Sequence, residues 1–167
     1  MFKNCAQVIT VEPETVNFKL LRSNLRRNRV SNVEAIKSAV VGNDDSHREL
    51  FKGKTPYYYS FLVKRGRRPV RVKCVNVNDL LEKYKPTKLK VDIEGSEFET
   101  LMAVENFYRV SQIVFEYNFD MNGDLKPETY REKFDQLRDR LSANGFDTSS
   151  MDRDIKQNWN LVFLVTR

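Results

Sequence analysis

Lys90-Val-Asp-Ile-Glu-Gly-Ser-Glu97 joins a short apolar strand to two carboxylates, a glycine and the start of a helix. Val91 and Ile93 alternate with Asp92 and Glu94, so a strand from Leu89 to Ile93 delivers acids to its C-terminal edge. Open α/β sheets bind ligands at that edge. Gly95 permits a sharp exit, and Ser96 with Glu99 three residues later predicts a capping box for a helix with Phe98, Leu101 and Met102 on one face.

Working outward, the same rhythm of strand, acid and helix recurs. Gln7-Val-Ile-Thr-Val11 is rich in β-formers and stops at Glu12-Pro13, with Pro13 expected in the first turn of the next helix. Phe18, Leu21 and Leu25 keep helical spacing between Thr15 and Arg27, and a second strand is predicted over residues 33 to 41, closed by a turn at Gly42-Asn-Asp-Asp45. Strand, helix and strand in this order predict a parallel crossover. Residues 46 to 74 read as an inserted β-hairpin whose strands, Pro56-Tyr-Tyr-Tyr-Ser-Phe-Leu-Val63 and Pro69-Val-Arg-Val-Lys-Cys-Val75, flank a basic turn. A short helix from Asp79 to Tyr84 precedes the acidic-turn strand. Gln112-Ile-Val-Phe-Glu-Tyr-Asn118 is another buried strand with Glu116 near its end. Tyr130, Phe134, Leu137 and Leu141 then mark an amphipathic helix stopped at Asn144-Gly145, and Asn160-Leu-Val-Phe-Leu-Val165 is a last strand.

The bulk numbers suit one domain over residues 1–167. The chain is 19.7 kDa, 40% hydrophobic and 31% charged, enough for a single core. No run approaches the roughly 18 apolar residues that span a bilayer, and the opening Met1-Phe-Lys-Asn-Cys-Ala-Gln7 lacks the apolar core of a secretory signal. A cytoplasmic protein without a membrane role is the expectation. Cys5 and Cys74 are too few for a disulfide framework or a zinc site and read as buried, inert thiols. The net charge of +6 is uneven: residues 1 to 75 hold 16 Lys and Arg against 6 Asp and Glu. Two basic clusters stand out, Arg22/Arg26/Arg27/Arg29 and Lys64/Arg65/Arg67/Arg68/Arg71/Lys73. They suit either solvated surfaces or phosphates, and with Tyr57-Tyr58-Tyr59 they keep a nucleic-acid-binding module as an alternative function.

Glu12, the pair Asp92 and Glu94, and Glu116 thus follow or end three strands. In a parallel sheet those ends share one edge, where carboxylates distant in sequence converge. Each also has a plain structural role available as helix cap or loop anchor. His47, between Ser46 and Arg48, reads as a surface residue of a polar loop. Hard oxygen ligands suit magnesium or calcium, but no spacing demands a metal.

Val11-Glu12-Pro13 followed by Leu21, Asn24-Leu25, Asn28 and Ala39-Val40, together with Asp79-Leu-Leu and Leu89-Lys-Val-Asp-Ile-Glu-Gly-Ser-Glu-Phe-Glu99, resembles the FkbM family of S-adenosylmethionine-dependent methyltransferases. The resemblance covers about residues 7 to 120. It implies an α/β, Rossmann-like fold: three layers around a mostly parallel sheet with a final antiparallel strand. It also implies methyl transfer to an oxygen of a small molecule or glycan. By position, Glu12 resembles the acid that holds the adenosine ribose, and Asp44 lies in a turn similar in place to the segment flanking adenine. Asp92 and Glu94 resemble the acids beside the methionine portion of S-adenosylmethionine and the acceptor, with Glu116 a third candidate.

One departure bears on both fold and chemistry. Family members begin with a strand and a glycine-rich turn that cradles the cofactor, whereas the first glycine here is Gly42. That strand lies mid-sheet in the family, between the strands matching residues 7–11 and 89–93. Without it those strands either pair directly or leave free edges open to association with another chain. A shortened chain, an inactive scaffold and a sheet completed by another subunit are the three explanations.

Overall fold

The computed structural model describes residues 7–52, 59–60, 68–118, 127–151 and 160–167. It is a mixed α/β structure. β1 (Val8–Val11) leads through Glu12 and Pro13 to α1 (Thr15–Arg27), and β2 (Val33–Ile36) returns parallel to β1 with Val8 opposite Val33. The crossover is therefore as expected. Pro13 is not in the first turn, because Glu14 caps α1 by accepting the N–H groups of Val16 and Asn17.

The strand expected over residues 33 to 41 is two strands. Lys37 and Ser38 break it, and β3 (Ala39–Val41) moves to a different sheet. There it pairs in parallel with β6 (Arg68–Asn76), which pairs antiparallel with β4 (His47–Lys52), and β4 in turn pairs with β5 (Tyr59–Ser60). The hairpin expectation is corrected on this point. The partner of residues 68–76 is His47–Lys52, a stretch whose mixed polar sequence carries no clear alternation, while most of residues 56–67 lie outside the described residues. Ala39, Leu50 and Val72 form a small core for this sheet.

α2 (Val77–Tyr84) is capped by the Asn76 side chain, which accepts the Asn78 N–H, and leads into β7 (Lys88–Val91). After α3 (Glu97–Met102), β8 (Gln112–Asn118) runs parallel to β7; α4 (Pro127–Ala143) and a 3-10 turn (Ser149–Met151) precede β9 (Asn160–Thr166), antiparallel to β8. The main core lies on one face of this sheet. Ile113, Phe115, Tyr117, Phe163 and Val165 alternate inward against Leu101 of α3 and Phe134, Leu137 and Leu141 of α4. Val162 and Leu164, on the alternate face, are exposed.

The mostly parallel single sheet is not what the described strands form. Three parallel and three antiparallel ladders make three sheets, ordered β1-β2, β3-β6-β4-β5 and β7-β8-β9. β1 and β7 do not pair with each other. Among the described residues each has one ladder partner, so the backbone groups of Ile9 and Val11, which alternate with those facing β2, lie along a free edge. No helix among the described residues is long and apolar enough to cross a membrane.

Candidate functional site

Glu12 stands immediately after β1, half-buried, where its Oε1 accepts the N–H of Glu14 at 2.7 Å. Burial pushes its carboxyl above the ordinary value; the Glu14 amide opposes that shift and the neighbouring Glu14 carboxylate adds to it. An acid with a raised folded-state pKa favours the fold at low pH, and that contribution disappears as pH rises through the folded pKa. Glu12→Gln, which keeps the shape without the charge, is therefore expected to raise the melting temperature at pH 7. The gain should shrink as pH falls below the raised pKa, and a gain independent of pH would contradict burial as the cause.

The acidic turn is built differently from the capping box that Ser96 and Glu99 suggest. β7 ends at Val91, so Asp92 and Glu94 lie in the turn and not in the strand. Ser96 makes no side-chain cap, because its hydroxyl is buried without a partner, and Glu99 instead meets Arg48 at 3.4 Å. Glu97 does the work. Its carboxylate, 1% exposed, accepts the N–H of Ile93 at 2.9 Å and the N–H of Gly95 at 2.9 and 3.2 Å. The turn it holds carries Glu94 at φ 54° and Gly95 at φ 104°; the left-handed region costs an L-residue about 1–2 kcal/mol, a strain that glycine escapes.

Asp92 is partly exposed, and its Oδ2 accepts the Lys90 ammonium at 2.6 Å. The pairing of Val91 with Phe115 sets Asp92 level with Glu116 on the neighbouring strand. Glu116 is half-buried on the face opposite Phe115, the face that Lys90 and Asp92 share through their bond. Asp44 accepts the Asn76 side-chain amide at 3.0 Å, which ties the turn after β3 to the start of α2. Asp45 beside it is paired with Arg48, whose hydrogen bond holds the carboxyl below its ordinary value.

Glu12, Asp44 and Asp92 are thus each held by their own neighbours. Two ties orient the elements that carry them. At one end the Tyr84 hydroxyl donates to Glu34 at 2.6 Å, joining the start of β2 to the segment that enters β7. At the other end Gly42, just past β3, rests against Glu99 and Ala103 of α3, the helix that follows the acidic turn. The strand that leads to Glu12 and the strand that leads to the turn of residues 92–95 belong to different sheets and share no ladder among the described residues.

The remaining candidates are peripheral. His47 lies on β4 and not in a loop, opposite Lys73, and is exposed with Nδ1 3.1 Å from the Ser46 hydroxyl. Burial pushes the half-buried Cys74 thiol up, which keeps it protonated and unreactive; Cys5 lies outside the described residues. Arg22, Arg26, Arg27 and Arg29 are exposed on and just after α1, and Arg68, Arg71 and Lys73 are exposed on β6; Lys64, Arg65, Arg67 and Tyr57 to Tyr58 lie outside the described residues. No group of three or more His, Cys, Asp or Glu suited to a metal ion occurs among the described residues.

No curated protein and no solved structure matches the chain. A family profile described as the methyltransferase FkbM domain does match it, over residues 1–148. Spanning most of the chain, from the strand before Glu12 through the acidic turn and β8 to α4, that match places this protein in the FkbM methyltransferase domain family.

Proposed function

We propose that this methyltransferase-family chain uses S-adenosylmethionine to methylate a hydroxyl oxygen of a small molecule or glycan in the cytoplasm. The observation that carries the proposal is the setting of carboxylates at the ends of parallel strands. Glu12 follows β1, and Asp92 follows β7 at the level of Glu116. The donor set suits the nucleoside end of the cofactor, because a half-buried carboxylate at a strand tip is an acceptor for two ribose hydroxyls. Neither described glycine near these ends is available as a cofactor cradle. Gly42 is committed to its contact with α3, and Gly95 to the acidic turn. The turn at 92–95 would hold the methionine end of the cofactor.

When bound, S-adenosylmethionine supplies an electrophilic methyl group. The protein's part is positioning. Glu12 would hold the ribose, Asp44 would lie in the turn beside the adenine, and Asp92 and Glu94 would orient the acceptor hydroxyl. Asp92 has Lys90 on Oδ2, which leaves Oδ1 as the atom to accept the hydroxyl proton as the oxygen is methylated.

Calorimetric titration of S-adenosylmethionine against the wild type and Glu12→Ala tests the reading. The variant removes charge-assisted hydrogen bonds to the ribose, for which a loss of roughly 10- to 100-fold in affinity is expected. A wild type that takes up no cofactor would leave an inactive scaffold as the better description.

A further inference from the structure

The geometry points to Glu97 as the positioning residue of the acidic turn, acting through the backbone to set the carboxylates of Asp92 and Glu94. This rests on the methyltransferase reading. Glu97 opens α3, yet its side chain turns back over the segment that precedes the helix, and both of its oxygens are engaged there. Oε1 accepts from Ile93 and Gly95, and Oε2 accepts from Gly95 again. The two amides taken alternate with the two acids, so the bonds fix residues 93 and 95 while residues 92 and 94 lie between and beside them.

Three features make this more than a local cap. The carboxylate is 1% exposed, so its bonds to the turn are made away from competing water. The turn contains consecutive residues at positive φ, one of them Glu94, a conformation that an unanchored glutamate readily leaves. Backbone strain of this kind persists where the surroundings over-determine it, and here one side chain sets two acceptors against two backbone donors.

That match of acceptors to donors supplies the test. Glutamine has the same shape but offers one carbonyl oxygen, so its amide group would set donor against donor at Ile93 or Gly95. The experiment compares wild type and Glu97→Gln by amide hydrogen exchange and by calorimetric titration with S-adenosylmethionine, well below both melting temperatures. Exchange at Ile93 and Gly95 is expected to quicken about tenfold or more while the amides of β8 and β9 stay as protected as in the wild type. Cofactor affinity is expected to fall roughly tenfold or more. If the glutamine variant does not fold, Glu97→Asp keeps the charge at the helix start and shortens its reach by one methylene, and the same two changes are expected. Unchanged exchange at Ile93 and Gly95 overturns the assignment. So does quickened exchange with wild-type affinity, which is what a purely structural anchor would give. A wild type that binds no S-adenosylmethionine overturns the methyltransferase reading, and this assignment with it.

Discussion

Replacing Phe134 with alanine is expected to lower stability by about 3–5 kcal/mol, the range for truncating a buried aromatic ring. Phe134 is fully buried on α4 and meets Tyr117 edge-on at 5.3 Å between ring centroids and Phe163 at 5.2 Å. Phe163 in turn lies 5.4 Å from Phe115. The ring therefore joins the helix to β8 and β9 at once, and its loss leaves a cavity beside Tyr117 and Phe163. For a chain of this length, each kcal/mol is worth roughly 2–4 °C of melting temperature, so a drop near 10 °C is expected in a thermal scan. Phe134→Leu, which refills part of the space, should recover a good part of it. A drop of only a degree or two would mean that α4 is not seated on this sheet.

Gly42→Ala carries the second large effect, for the opposite reason. A Cβ at Gly42 would stand 2.5 Å from Cβ of Ala103 and 2.9 Å from the carbonyl oxygen of Glu99. One atom is backbone of α3 and the other the Cβ of its C-cap residue, so the added methyl cannot be met by a side-chain rotation alone. Overpacking of this kind costs about 1–3 kcal/mol. The double variant with Ala103→Gly removes the closer of the two clashes and should restore part of the loss, although glycine within or beside a short helix costs about 1 kcal/mol itself. A double-mutant cycle by urea denaturation reads the coupling. Strict additivity of the two substitutions would show that β3 and α3 do not meet as described.

Much of the fold is written in side-chain periodicity. Phe18, Leu21 and Leu25 mark α1 to the residue, and Gln112–Asn118 emerges as β8 because Ile113, Phe115 and Tyr117 alternate into the core. Where the reading fails, a tertiary contact outweighs a local rule. Ser96 and Glu99 have the spacing of a capping box, but Ser96 is buried and Glu99 reaches Arg48, fifty-one residues away in sequence. The break at Lys37 and Ser38 leaves no signature in an apolar run, because only the pairing of Ala39 with Cys74 diverts β3 into another sheet. Strand β4 escapes the alternation rule, since His47-Arg-Glu-Leu-Phe-Lys52 carries polar or charged residues on both faces. At the site, the acids Glu12, Asp92, Glu94 and Glu116 were legible as strand-end carboxylates. Glu97 was visible as a residue but not in its role, which depends on the turn folding back over the helix start.

α1 buries none of its thirteen residues completely, and strands β1 and β2 are half-covered, unlike β8, whose Ile113, Phe115 and Tyr117 are buried. Among the described residues, the segment bearing Glu12 is for that reason expected to open early on warming. A nucleoside gripped by Glu12 would act as a clasp on this outer leaf, so that occupancy registers as resistance to proteases and heat there while the aromatic heart of the molecule stays as it was.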